Sequence, residues 1–234
     1  MSWLVKMEIS SQIALRLKIL DSYDWHQKLW ECYPGMPDKN RGFLTRLDAL
    51  EGAFRIWMLT VELPACPDWC QPAAFQIKEI ASTFFSHRYY VFDLMANPVK
   101  TLVVRGSNGE TLYGKNGKRH HGKRVPIVNN EDLADWVKRK GMVRSKDQQT
   151  GSNIPGGFRI VEERPLEIRR MTENYFTKTD KNAGITHRAF HGSVQFRGTL
   201  EVTDHIHFQE TFHKGIGSAK GFGQGLMLLS PVKL

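Results

Sequence analysis

Acidic residues are in short supply in this chain: 24 Asp and Glu stand against 33 Lys and Arg, a formal net charge of +9 over 234 residues. Cysteine is rarer still, at three (Cys32, Cys66 and Cys70). Three scattered cysteines exclude a disulfide framework, and none has Cys or His partners at zinc-finger spacing. The acids do not gather as a two-metal nuclease requires. No apolar run is long enough to span a bilayer. The start, Met1-Ser2-Trp3-Leu4-Val5-Lys6-Met7, lacks the charged head, apolar core and cleavage site of a signal peptide. These shortages point to a cytoplasmic protein with no membrane partner, no cofactor and no metal.

What is present is positive charge, which favours a polyanionic partner. Without a basic amphipathic helix or a lipidation signal, nucleic acid is a better fit than an anionic membrane. A merely soluble basic protein would carry the same charge, so charge alone does not decide.

Hydrophobic periodicity divides the chain into strand–helix–strand groups. Trp3 to Ile9, Phe54 to Leu63, Phe75 to Ile80 and Tyr89 to Met95 read as strands. Ser22 to Tyr33 reads as a helix capped by Asp21 or Ser22 and stopped by Pro34-Gly35. Asp38 to Leu50 reads as a connection with a helical turn. The second half reads as β-α-β-β-α-β: Val125–Val128, Glu131–Lys140, Phe158–Met171, Ala189–Thr203, Asp204–Lys214 and Leu226–Val232. That is the split-βαβ pattern. The expected fold is α+β, two tandem ferredoxin-like domains over residues 1–98 and 99–234. The first half lacks an evident second helix, and the halves share no visible repeat.

Chemistry concentrates in three places. Tyr23 and His26 sit at i, i+3 near a helix N-terminus, which favours an anion. Histidine exchanges protons near neutral pH. A Tyr–His pair beside a phosphate has the groups for RNA cleavage through attack by the 2′-OH, with a Lys or Arg stabilising the charge that develops. The plainer alternative is a half-buried helical histidine beside a packing tyrosine. Second, Lys100 to Arg124 forms a basic, glycine-interrupted loop carrying Lys100, Lys115, Lys118, Arg119, Lys123 and Arg124. Arg164, Arg169 and Arg170 lie further on, along a predicted strand. They suit a phosphate backbone or a solvated strand face equally. Third, Lys214 leads into a loop with Gly215, Gly217, Lys220, Gly221, Gly223 and Gly225. Its glycines permit close backbone approach and anion-binding nests. It opens at a helix C-terminus and lacks Gly-Lys-Ser/Thr, so it is neither a P-loop nor a dinucleotide fingerprint.

Four segments in order carry a family resemblance. They are Tyr23-Asp24-Trp25-His26-Gln27-Lys28-Leu29-Trp30, Met95-Ala96-Asn97-Pro98-Val99-Lys100-Thr101, Glu163-Arg164-Pro165, and Gly215-Ile216-Gly217-Ser218-Ala219-Lys220-Gly221-Phe222-Gly223-Gln224-Gly225-Leu226. Through them the chain resembles the CasE family, the CRISPR repeat-RNA endoribonucleases of type I-E Cascade. The resemblance implies metal-independent cleavage of precursor RNA at the 3′ base of the repeat hairpin. It implies products with a 5′-OH and a 2′,3′-cyclic or 3′-phosphate, with the RNA retained alongside other Cascade subunits. It makes His26 the catalytic base or acid, Tyr23 its assistant and Lys28 a candidate for phosphate stabilisation. Arg169 and Arg170 fall near the hairpin that docks on the RNA stem, and Lys220 with its glycines matches the family's C-terminal loop. The loops at Lys100–Arg124 and Arg144–Gly157 are longer than the resemblance leads one to expect. A free monomer is expected. A non-catalytic hairpin-binding scaffold with the same charge and fold is the alternative.

Overall fold

A computed structural model describes residues 1–35, 42–113, 121–143, 145–146, 152–171, 174–179 and 186–233. The chain opens with β1 (Ser2–Ser10), whose Val5, Met7 and Ile9 are buried while Lys6 and Glu8 alternate to the other face. The short α1 (Ser11–Arg16) leads to α2 (Ser22–Leu29), which continues as a 3₁₀ turn to Cys32. Asp21 caps α2 as expected: its carboxylate accepts from the Tyr23 and Asp24 N–H groups at 2.8 and 3.0 Å. Next come β2 (Phe43–Leu50), β3 (Ala53–Thr60) and β4 (Phe75–Ile80). These form an antiparallel sheet of order β2-β3-β1-β4. Here β2 departs from expectation, since 43–50 is strand and not a helical turn. Its charged positions misled the reading: Arg46 is only 3% exposed, neutralised by Asp48 at 2.8 Å and Asp93 at 2.7 Å.

The second sheet starts at β5 (Tyr89–Ala96), which the sequence reading had grouped with the first unit. A hairpin follows, β6 (Val99–Val103) with β7 (His121–Pro126), then α3 (Asn130–Met142). The pair β8 (Ser145–Lys146) and β9 (Asn153–Ile154) precedes β10 (Phe158–Ile160) and β11 (Glu167–Arg170). A second hairpin, β12 (Asn174–Thr179) with β13 (Thr186–His191), leads into β14 (Val194–Val202). The chain ends with α4 (His205–Lys214) and β15 (Met227–Val232). The sheet order is β10-β14-β5-β15, with β11 also paired to β14.

In both sheets the first strand lies between the third and the fourth. The two ferredoxin-like units therefore share one topology without a shared sequence repeat. Three expected elements change. Val125 lies in a hairpin with Lys100, outside the second sheet. The expected strand 158–171 is broken at 161–166, and 189–203 is divided between β13 and β14.

One core fills the space between the first sheet and its helices, centred on Val5, Met7, Ile9, Trp25, Leu29 and Met58. The other lies under α3 and α4 and includes Tyr90, Phe92, Leu94, Trp136, Phe196 and Phe208. Leu44 and Leu59, from the first sheet's opposite face, join this second core. The same junction holds a polar network: the Asp93 carboxylate accepts from Arg46, from Gln195 at 2.9 and 3.0 Å and from Arg197 at 2.8 Å. Burial alone would raise its pKa, but Arg46, Gln195 and Arg197 together hold it below the usual carboxylate range. All three cysteines are free, and burial pushes the Cys32 and Cys70 thiols up to about 12, away from reactivity. Among the described residues no helix is long and apolar enough to cross a membrane.

Candidate functional site

The first turns of α2 carry the two residues singled out for proton transfer on one side of the helix but in different surroundings. Tyr23 is 37% exposed and its ring centroid lies 6.2 Å from Phe222 in the glycine-rich loop. His26 is 7% exposed, with its ring 5.4 Å from Phe43 and 6.3 Å from Trp30. Lys28 follows His26 by two residues, about 200° around a helix of 3.6 residues per turn. It therefore leaves the opposite side of α2, where its ammonium pairs with Glu31 at 2.7 Å. Tyr23 and His26 share a side of the helix, and Lys28 does not join them.

The glycine-rich loop reaches α2 because its backbone takes paths closed to other residues. Gly215 ends α4 at φ 70°, ψ 162°, a region that only glycine occupies readily. A Cβ there would stand 2.8 Å from Leu44 Cδ1. Gly225 lies at φ 92°, and a Cβ there would meet the Ile216 carbonyl oxygen at 2.7 Å. Two hydrogen bonds close the loop's base: Ile216 N–H donates to Gly225 O at 2.9 Å, and Gly225 N–H donates to Met95 O at 2.6 Å. Between them, Ala219 takes a left-handed conformation that opens a 3₁₀ turn over Lys220–Phe222. This turn packs on both α2 and β2. The loop is thus anchored on β5 of one sheet and rests on elements of the other.

On its α4 side the loop borders a groove of about 400 Å³. Arg124, Lys140, Lys214 and Lys220 line it with Asn97, Thr101, Ser218 and the backbone at Gly215 and Gly217. No carboxylate lines it among the described residues. The Lys220 ammonium donates to the Lys214 carbonyl, and Lys214 also lies 3.7 Å from Glu210. Lys140 stands over the Trp136 ring, 5.7 Å from its centroid. Burial, and to a lesser extent the charge of Arg139, lower the Lys140 pKa below the usual lysine value. Such a groove concentrates positive charge where a polyanion's phosphates can enter.

Three of the basic candidates therefore converge: Arg124, Lys214 and Lys220. Lys140 joins them and was missed by sequence reasoning. Its signal was modest, a lysine one turn after Trp136 on α3. The others lie apart from this groove. Lys100 pairs with Asp132 at 3.4 Å. Lys123 and Arg164 are exposed. Arg169 lies 3.4 Å from Glu167, and Arg170 donates to the Val128 carbonyl and to Asn130 at the start of α3. Both arginines sit on β11, in the main sheet, a few residues before the β12–β13 hairpin. Lys115, Lys118 and Arg119 lie outside the described residues. Among the described residues no group of three or more His, Cys, Asp or Glu side chains is arranged to hold a metal ion.

The fold and the site define a class: a tandem ferredoxin-like protein whose glycine-rich loop joins a Tyr/His helix to a cation-lined groove. A profile described as CRISPR associated protein matches residues 2–231, and the chain belongs to that family. The CRISPR system Cascade subunit CasE of Escherichia coli (strain K12) is 25% identical to it over 229 residues, 97% of this chain and 100% of that protein. The CRISPR-associated endoribonuclease Cse3 of Thermus thermophilus is 25% identical over 239 residues, 98% of this chain and 100% of that one. The crystal structure of Cas6e from E. coli K-12 aligns with a TM-score of 0.63 at 21% identity, over 99% of this chain and 100% of that chain. Cse3 bound to a 19-nucleotide RNA aligns with a TM-score of 0.65, also at 21% identity and with the same coverage. The resemblance read from the four motifs is borne out over the length of the chain.

Proposed function

We propose that this protein is an endoribonuclease that cuts CRISPR precursor RNA at the 3′ base of the repeat hairpin and keeps the product as a cytoplasmic Cascade subunit. The observation that carries the reading is the juxtaposition of Tyr23 with Phe222 of the glycine-rich loop, whose earlier residues border a groove rich in cations and, among the described residues, free of carboxylates. RNA phosphates fit the groove, and the helix bearing His26 borders the same loop.

In this reading the scissile 2′-OH loses its proton to a base and its oxygen attacks the adjacent phosphorus. The 5′-oxygen leaves with a proton from an acid, so the products carry a 2′,3′-cyclic phosphate and a 5′-OH. His26 and Tyr23 supply the proton transfers. Lys220 is better directed than Lys28 to stabilise charge on the phosphate, because Lys28 leaves the far side of α2 and pairs with Glu31. No step calls for a metal, and no cluster of acids among the described residues suggests one.

The burial of His26 gives the scaffold reading a specific observation in its favour, since a general base must reach the proton it removes. One experiment separates the two readings: cleavage of the cognate repeat RNA in excess EDTA by wild type and His26→Ala, with hairpin binding measured alongside. A single cut at the stem base by wild type alone, with binding kept in the variant, is the expected result. Tight binding with no cut by either protein would establish the scaffold. A cut that EDTA abolishes would remove the metal-independent mechanism.

A further inference from the structure

The later residues of the glycine-rich loop, Phe222 to Gln224, border a second cavity, of about 280 Å³. This is at the small end of ligand pockets. It opens where the N-terminus of α2, the ends of β2 and β3, and the root of the β12–β13 hairpin meet. Its walls are largely apolar: Phe54 and Phe222 are half-buried there, beside Met95 and Met171. The polar groups are few: Asp21, whose carboxylate is engaged by the Tyr23 and Asp24 N–H groups, with Ser22, Ser193 and Gln224. Ser22 lies one turn before His26 on α2. Gln224 is 4% exposed, and its side-chain amide donates to the Ser193 hydroxyl at 2.6 Å. The other end of that amide, Oε1, is buried with no hydrogen-bond partner among the described residues. A buried acceptor left unpaired costs free energy unless a ligand supplies a donor.

A mostly apolar slot with aromatic walls, few polar groups and one unpaired amide acceptor matches a nucleobase better than a phosphate, a sugar or an aliphatic chain. Aromatic walls stack on a base, and an amide reads its hydrogen-bonding edge. Position agrees with chemistry. Phe222 faces the slot and also neighbours Tyr23, so the slot adjoins the residues assigned to proton transfer. We infer that this cavity takes one unpaired base of the RNA, extruded beside the scissile phosphate, with Gln224 accepting a hydrogen bond from the base. Holding that base would align the neighbouring 2′-OH and phosphorus for attack. The inference rests on the endoribonuclease reading for the identity of the RNA.

The test is a binding scan with the full chain and repeat RNAs in which each nucleotide flanking the cut is made abasic in turn. Loss of one stacked base should weaken binding about 5–150-fold at a single position. A second protein, Ala49→Trp, plugs the slot from its exposed rim on β2, and Ala49 does not line the cationic groove. It should bind intact RNA as weakly as wild type binds the sensitive abasic RNA, and should no longer distinguish the two. Replacing Gln224 by Leu should flatten any preference among the four bases at that position. A flat abasic scan with tight repeat binding would overturn the slot and leave the endoribonuclease reading standing. So would an Ala49→Trp variant that keeps the wild-type difference. Tight binding with one sensitive position but no cleavage would uphold the slot and sink the endoribonuclease. Failure of wild type to bind the repeat would overturn both.

Discussion

Replacing Gly215 by Ala should damage this protein more than its one added carbon suggests. The backbone there, at φ 70° and ψ 162°, is nearly closed to residues with a Cβ, and holding one in it costs about 1–3 kcal/mol. The new carbon would stand 2.8 Å from Leu44 Cδ1 and 3.0 Å from the Gly225 carbonyl oxygen. Leu44 is 6% exposed in the core shared by the two sheets, so it has little room to yield. Overpacking of this kind adds about 1–3 kcal/mol. The sum, about 2–6 kcal/mol, is a large share of the ~5–15 kcal/mol by which domains are stable. At about 2–4 °C per kcal/mol for a chain of this size, Tm should fall by roughly 4–24 °C. Gly52→Ala is the control. Gly52 also has positive φ, 71°, in the β2–β3 turn, but a Cβ there meets nothing within 4 Å. Only the backbone strain of about 1–2 kcal/mol applies to it. Thermal unfolding followed by circular dichroism measures both variants. Gly215→Ala should melt well below Gly52→Ala and should also lose cleavage rate, because Lys220 and Phe222 are carried by the loop it begins. If the two variants melt together, the close-packing argument is refuted.

Asp93→Asn should cost stability toward the lower end of the ~3–5 kcal/mol for breaking a buried pair, because Asp48 still holds Arg46. The Asp93 carboxyl is held below its ordinary range, so its contribution is complete above the unfolded value of about 3.9 and is lost as pH falls through the lower folded value. Urea midpoints measured from about pH 5 down to pH 2 should therefore fall less steeply in the Asn variant than in wild type; parallel curves would remove Asp93 from the acid response. In the groove, Lys214→Gln and Lys220→Gln should each lower the slope of log affinity for repeat RNA against log salt by about 0.7–0.9. An unchanged slope would mean that no phosphate enters there.

Much of the architecture could be read without coordinates where local rules and tertiary outcome agree. The alternation of Val5, Met7 and Ile9 with polar neighbours identifies β1. Asp21 announces α2 through a hydrogen bond two residues long. Agreement failed where burial was bought by partners far away in the chain. Arg46 and Asp48 make β2 look solvated, and only Asp93, on the other sheet, explains how the arginine is buried. Likewise Tyr89–Met95 reads as a strand in isolation, yet nothing local says that it pairs with residues 194–202 and 227–232. The candidate site divides in the same way. Tyr23, His26, Lys214 and Lys220 were visible as residue types in motifs, whereas Lys140 and the second cavity were not, because their neighbours come from separate elements.

The sequence by itself determined most of the elements and the chemistry at hand: strand–helix–strand groups in both halves, a capped helix bearing Tyr23 and His26, a loop built for glycine, and an excess of positive charge. These follow from side-chain periodicity, capping and composition, which act within a few residues. Only the tertiary structure decided which strands share a sheet, that Lys28 faces away from His26, and that the loop borders both a cationic groove and a largely apolar slot. Those outcomes depend on burial and pairing between residues as far apart as Arg46 and Asp93, and Tyr23 and Phe222, which no local pattern encodes.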